Sequence, residues 1–154
     1  MKVFDLESQL HFYFRYHKNT TNVNIHRICV PLILWSTFAI LAKLSTTYAI
    51  ILAAIYQTYY FILSISIGFT YLPIMTLMLL SRNYITSVYT LIFIHIISWI
   101  AQFYGHAKHE KRAPALLDNV AGAVFLAPLF VHIENLFSLG YYNNLQRNLH
   151  NRID

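Results

Sequence analysis

Histidines stand at both ends of a long, almost uncharged stretch of this chain, and histidine is the commonest metal ligand among the side chains. His17 and His26 precede the stretch, within YHKNTTNVNIHR, and His106 follows it, within GHAKHEKR. Ionisable side chains are costly where a hydrophobic segment leaves a membrane, so such clusters indicate a functional site. The sequence therefore predicts that the two clusters meet in one shared site.

The second cluster also offers a carboxylate. On an α-helix His106 and Glu110 are four residues apart and point the same way, with His109 beside them. Imidazoles and a carboxylate gathered in one place suit zinc or non-haem iron. Because this spacing often arises by chance, an ion pair at the headgroup boundary is an equally good interpretation of the carboxylate. Its candidate partners are Lys111, Arg112 and Arg82.

The composition of the chain places it among membrane proteins. Of its 154 residues 57% are hydrophobic and only 11% are charged, whereas soluble domains carry about 25% charged residues. Between residues 28 and 107 the only Lys, Arg, Asp or Glu residues are Lys43 and Arg82. A soluble domain of this size has too few other residues to cover such a stretch. The pattern predicts an all-α fold, a polytopic helical membrane bundle of about four to five transmembrane segments.

The chain is expected to form a single membrane-embedded domain. Its predicted parts are an N-terminal amphipathic helix with the first histidine motif (1–27), a transmembrane bundle (28–105), the second histidine motif (106–119), a bent or re-entrant apolar helix (120–140) and a polar tail (141–154). Breaks in the bundle are expected at 43–46, around Gly68 and Pro73, and at 81–83. A polar turn is expected at 19–24. The histidine motifs meet only if the bundle crosses the bilayer an even number of times.

The charge pattern gives an orientation. The net charge of +5 comes mostly from basic residues next to the apolar segments, and such residues mark the cytoplasmic side and face anionic headgroups. We therefore expect both histidine motifs to face the cytoplasm. The spans interrupt the basic residues, which leaves no continuous basic face and excludes a nucleic-acid partner. The single cysteine, Cys29, excludes an internal disulfide bond.

Two segments of the chain resemble a known family, the membrane-embedded 2-hydroxy fatty acid dioxygenases, one member of which acts in phytosphingosine breakdown. The first is YHKNTTNVNIHRICVP, with its Tyr-His pair, an asparagine, and a histidine before a proline. The second is WIAQFYGHAKHEKRAPALLDN, followed by LAPLF and Glu134. With the spacing of the apolar segments, the resemblance covers nearly the whole chain.

This resemblance implies a metal centre. It implies that His17, His26 and His106 hold Fe(II), with Glu110 as a fourth ligand or as an acceptor that orients an imidazole. His109 has no expected counterpart in the family and is not counted as a ligand. The resemblance also implies residence in the endoplasmic reticulum membrane.

The resemblance further implies a reaction. A 2-hydroxy long-chain fatty acid and dioxygen are the expected substrates, and cleavage between the first and second carbons gives a fatty acid one carbon shorter. Lys111 or Arg112 is expected to pair with the substrate carboxylate, and Asn22 matches a family asparagine expected at the substrate. The acyl chain would enter from the lipid bilayer.

Three other interpretations stay open. A di-iron lipid hydroxylase would need about eight histidines in clustered boxes, whereas the eight here are scattered. A zinc hydrolase would act without oxygen. A non-enzymatic membrane protein, such as a lipid-binding, haem-binding or scaffold protein, is the alternative from another class, and His95 with His132 would be its haem ligands.

Overall fold

A computed structural model of the chain describes residues 4–111, 113 and 120–150, and within these ranges it contains helices and turns but no strand. The all-α fold class is therefore confirmed. The helices are α1 (Leu6–Phe14), α2 (Thr20–Leu44), α3 (Thr46–Leu63), α4 (Ile65–Ser81), α5 (Val88–Gly105), a π-turn (His106–Glu110), α6 (Val120–Ser138) and α7 (Asn143–His150).

The helices belong to two compact units. The first unit comprises Met1–Arg27 and Gln102–Asp154, and the second comprises Ile28–Ala101. All three histidines of the predicted metal site lie in the first unit, although the second unit stands between His26 and His106 in the sequence. The first unit is therefore the one that positions the site.

Three helices are long and apolar enough to cross a membrane: Thr20–Leu44, Thr46–Leu63, and α5 with its π-turn, Val88–Glu110. A fourth is added if the bent pair Ala123–Ser138 and Asn143–Leu149 counts as one span. Helix α4 is apolar but shorter, at 17 residues. Large aliphatic side chains on these helices are exposed, Ile50, Ile55 and Ile62 among them. Exposed apolar surface of this extent indicates membrane association.

The second unit corrects one predicted boundary. The break expected around Gly68 and Pro73 lies at Ser64, where the backbone is extended and the hydroxyl accepts a hydrogen bond from the Ile67 N–H. Pro73 is inside α4. A serine cap at the start of a helix satisfies a free N–H group. This cap, and not the proline, sets where α4 begins. Helices α3 and α4 pack together, and Gln57 Nε2 donates to the Gly68 carbonyl over 2.9 Å.

In the first unit the N-terminal helix is present, and its apolar stripe is covered by α6. Leu10 and Tyr13 of α1 are buried. The Tyr13 ring packs on Phe130 with centroids 4.4 Å apart, and the Phe14 ring lies 6.3 Å from that of Phe137. The stripe of the amphipathic helix thus lies against another helix, which explains why α1 can hold the residue that follows it in place.

The prediction of a polar turn at 19–24 was wrong, because α2 already begins at Thr20. Asn19 Oδ1 accepts hydrogen bonds from the N–H groups of Thr21 and Asn22, at 2.9 and 3.4 Å. An asparagine in this position is a strong N-cap. The cap explains why a run of Asn and Thr, which are weak helix formers, is helical here.

The C-terminal region also differs from its prediction. The expected polar tail contains helix α7, and its Leu149 is fully buried. Between α6 and α7 the chain turns at Gly140, which has φ +84. The N–H of Tyr141 donates to the Leu136 carbonyl and that of Gly140 to the Phe137 carbonyl, the pattern of a Schellman motif. The bend that was predicted within 120–140 therefore lies after α6, where the two helices turn by 112°, and Pro128 stays within the helix.

Candidate metal centre

Three buried histidines meet in the first unit. The ring centroids of His17 and His26 are 4.6 Å apart, and each lies 4.9 Å from that of His106. One potential ligand nitrogen from each residue lies within 4.8 Å of the other two. A transition metal sits about 2.1 Å from an imidazole nitrogen, so a small inward movement of the rings would bring all three nitrogens to one ion.

His17 is held by the end of α1. Its Nδ1 donates to the Tyr13 carbonyl over 3.0 Å, and its ring stacks on the Tyr13 ring with centroids 3.8 Å apart and planes 14° from parallel. A hydrogen on Nδ1 leaves the lone pair on Nε2. Burial lowers the pKa of His17 well below 6.5, and the neighbouring His26 lowers it further. The imidazole is therefore neutral at neutral pH, which is the state that binds a metal.

His26 is oriented in the same way by its own helix. Its Nδ1 donates to the Asn22 carbonyl, one turn earlier in α2, over 2.9 Å. This bond fixes the tautomer and leaves Nε2 as the ligand atom. His106 is the first residue of the π-turn and is buried. Single π-turns of this kind often occur at functional sites.

The nitrogens of this cluster fit a metal ion. Within the described ranges, His17 Nε2 and His106 Nδ1 are buried and have no hydrogen-bond partner. Buried polar atoms are rarely left without a partner, and an ion that the structure does not contain is one reason for such a case. Three neutral imidazoles form a donor set that zinc, copper, iron and nickel accept.

Glu110 is not part of the group of possible ligands that the described residues form. Its Oε1 accepts from the Asn19 N–H over 2.9 Å and from Asn22 Nδ2 over 3.1 Å. The expected geometry assumed an α-helix, but His106–Glu110 is a π-turn, whose hydrogen bonds join residues five apart. Four-residue spacing therefore does not stack the two side chains. The carboxylate bonds to the two asparagines and not to the exposed, adjacent Lys111.

Asn22 connects the two histidine motifs. It is fully buried, its backbone carbonyl orients His26, and its side-chain nitrogen bonds to Glu110. Its Oδ1 lies against Gly105, at a point where any Cβ on residue 105 would overlap it. The structure thus gives Asn22 a role in holding the cluster together, which the sequence pattern did not reveal.

The predicted substrate-binding cations lie beyond the cluster. Lys111 is exposed and follows the π-turn with φ 53. Arg112 lies outside the described residues, as does 114–119 of the second motif. His109 is only partly buried, and its ring lies 5.9 Å from that of Tyr104.

His95, in the second unit, has a structural role. Its Nε2 accepts from Trp99 Nε1 over 3.1 Å, and its Nδ1 lies 3.0 Å from Ser36 Oγ. If Nε2 accepts, then Nδ1 carries the hydrogen and donates to Ser36, which in turn donates to the Ile33 carbonyl. No lone pair is left for a haem iron, so this geometry argues against the haem-binding alternative.

Sequence reasoning missed Tyr13 and Asn19. Tyr13 contacts His17 through both its ring and its carbonyl, and Asn19 joins the start of α2 to Glu110. The position of Tyr13 four residues before His17 was the available signal, because residues at this spacing share a helix face.

Comparison with known proteins gives a consistent result. A family model described as 2-hydroxy-palmitic acid dioxygenase Mpo1-like matches residues 3–139. The chain is similar to the 2-hydroxy-palmitic acid dioxygenase MPO1 of Saccharomyces cerevisiae, with 37% identity over 159 residues, which cover 97% of this chain and 90% of the yeast protein. No solved structure gives a match. All three clustered histidines lie within the range that the family model matches.

Proposed function

Because this chain belongs to the Mpo1-like family of 2-hydroxy-palmitic acid dioxygenases, we propose that it uses Fe(II) and dioxygen to cleave 2-hydroxy long-chain fatty acids to fatty acids one carbon shorter. The chain is an enzyme of the dioxygenase class. The observation that carries the finer proposal is the buried trio of His17, His26 and His106, two of which have nitrogens without a partner among the described residues.

In this proposal the three imidazoles hold the metal. Bound Fe(II) would supply the redox chemistry that couples dioxygen to the 2-hydroxy acid. The reaction balances with one dioxygen consumed and one carbon dioxide and one water released, and the substrate itself supplies the electrons. The backbone carbonyls of Tyr13 and Asn22 keep the Nδ1 protons of His17 and His26 in place, so both Nε2 atoms stay available.

The surroundings of the cluster fit a lipid substrate. Burial of the three rings keeps bulk water away from the cluster. Three neutral ligands would leave the charge of a bound divalent cation uncompensated, and this charge would attract the carboxylate of an acid. We propose that Lys111, with Arg112, attracts the carboxylate at the headgroup boundary, and that the acyl chain enters from the bilayer. We further propose that the protein lies in the endoplasmic reticulum membrane with both motifs on the cytoplasmic side.

Turnover tests the proposal directly. Purified protein incubated with 2-hydroxypalmitic acid, Fe(II) and oxygen should yield a fatty acid with one carbon fewer, detected by mass spectrometry. Omitting oxygen or adding an iron chelator should abolish the product. Absence of turnover with bound iron and oxygen present would reject the proposal, and product formed without oxygen would favour a hydrolase.

Substitutions at Glu110 separate its two proposed roles. Because both asparagine donors reach the same oxygen, Oε1, Glu110→Gln can keep both hydrogen bonds, whereas Glu110→Ala loses them. If Glu110 positions the ligands, Gln should retain nearly full iron affinity and Ala should lose about 10–100-fold. If the carboxylate is itself a ligand, the two variants should lose iron to a similar extent. Titration with Fe(II) under nitrogen measures both.

A further inference from the structure

Tyr13 has a buried hydroxyl group that the described structure leaves without a hydrogen-bond partner. The residue is 4% exposed, and its Oη finds no donor or acceptor among the described residues. Burying a hydroxyl without a hydrogen bond is costly, so proteins seldom retain one without a function. A polar group of a bound ligand would supply the missing partner.

The position of this hydroxyl is fixed from two sides. One face of the Tyr13 ring stacks on His17, with centroids 3.8 Å apart, and the ring also packs against Phe130 of α6, 4.4 Å away. Since the imidazole and the phenol are nearly parallel and in contact, the hydroxyl is held beside a member of the histidine cluster. It cannot reach solvent or rotate away without breaking both contacts.

A charged pair lies along the same stripe of α6. Phe130, Glu134 and Ser138 are spaced four residues apart and therefore share one helix face. Arg27, which follows His26, contacts Glu134 Oε2 at 3.5 Å and donates to Ser138 Oγ over 2.7 Å. Its Nε is buried and has no partner within the described part of the chain.

The protonated phenol suits an incoming acid. Two carboxylates, Glu134 and Glu110, and the Arg27 guanidinium all act on this hydroxyl, and Arg27 offsets part of their negative charge. The phenol is protonated at neutral pH and is a hydrogen-bond donor. A hydrogen bond from it to a carboxylate is charge-assisted and stronger than one to a neutral acceptor.

We propose that Tyr13 is a substrate-binding residue, whose hydroxyl donates a hydrogen bond to the carboxylate of the long-chain acid when the head of that acid lies at the histidine cluster. This inference rests on the proposed function, because it takes the substrate class from it. It adds a residue of α1 to a substrate site that sequence reasoning had assigned to Lys111, Arg112 and Asn22.

Binding measurements on Tyr13→Phe test the inference. The variant keeps the ring, its stacking on His17 and the backbone bond, and removes only the hydroxyl. Binding should be measured under nitrogen with Fe(II) bound, for palmitic acid, 2-hydroxypalmitic acid and hexadecane-1,2-diol. The affinities for both acids should fall about tenfold or more, whereas the affinity for the diol, which lacks a carboxylate, should stay unchanged. Iron content and Tm should not fall, because the hydroxyl has no partner to lose within the described part of the chain.

Tyr60→Phe is the matched control, since Tyr60 is fully buried in α3 of the second unit; it should leave all three affinities unchanged. Unchanged acid affinity in Tyr13→Phe would overturn the inference, as would an equal loss for the diol or an effect confined to the oxygen dependence of turnover. A lower Tm with normal acid binding would show a structural hydroxyl instead.

The two proposals fail in different ways. If the parent protein shortens the hydroxy acid and Tyr13→Phe binds it equally well, the inference fails and the proposed function stands. If the parent binds acids through Tyr13 but forms no product, the proposed function fails and the acid-binding role stands. If the parent binds no long-chain acid at all, both are rejected.

Discussion

Replacing His17, His26 or His106 with alanine should remove the metal and the activity together. Each ring contributes one nitrogen to a set whose members lie within 4.8 Å of one another, so two rings alone cannot hold the ion as tightly. Residues that hydrogen-bond to metal ligands contribute about 10–100-fold to metal affinity or activity. Removal of a direct ligand should therefore lower iron affinity by more than about 100-fold. Iron per chain, measured after desalting, and turnover of 2-hydroxypalmitic acid should fall in parallel in all three variants.

His109→Ala is the control for this prediction. His109 is in the same π-turn as His106 but is not among the clustered nitrogens, so its removal should leave one iron per chain. Full iron content in His106→Ala would contradict the assignment of the site. Two irons per chain in the parent would contradict its mononuclear character and favour the di-iron alternative.

The two histidine clusters could be located from the sequence for a physical reason, and the family resemblance then selected His17, His26 and His106 from them. Imidazoles at the edges of apolar segments are costly, so their positions carried a signal that did not depend on knowing any contact. Their function as ligands remains a prediction. The composition was likewise enough to predict a helical fold, because a long uncharged segment inside a membrane must satisfy its backbone hydrogen bonds internally, as a helix does.

The support of the cluster could not be predicted in the same way. The role of Tyr13 depends on α1 packing against α6, and their residues are more than one hundred positions apart in the chain. The bond between Asn22 and Glu110 depends on a π-turn, whose extra residue shifts every following side chain, and no residue type specifies such a turn. The start of α2 was predicted wrongly because Asn19 caps the helix. The average helix propensity of NTTNVN does not show the effect of such a cap.

Gly105→Ala should disturb the cluster although residue 105 is not a ligand. Gly105 precedes His106, and an added Cβ would overlap Asn22 Oδ1 and lie 3.3 Å from Ile25 Cδ1. Overpacking of this kind costs about 1–3 kcal/mol. Asn22 cannot retreat freely, because its side chain bonds to Glu110 and its backbone holds His26. We expect a lower Tm and an iron affinity reduced by about 10–100-fold.

A second glycine and a double variant distinguish this effect from a general loss of stability. Gly68→Ala brings a Cβ against the Phe61 ring in the second unit, so it should lower Tm without changing iron affinity. Asn22→Ala removes the oxygen that the added Cβ would overlap. In that background Gly105→Ala should cost little further iron affinity, because the effects of substitutions at contacting residues are not additive. Fully additive losses, or normal iron binding in Gly105→Ala alone, would show that Asn22 does not link residue 105 to the metal centre.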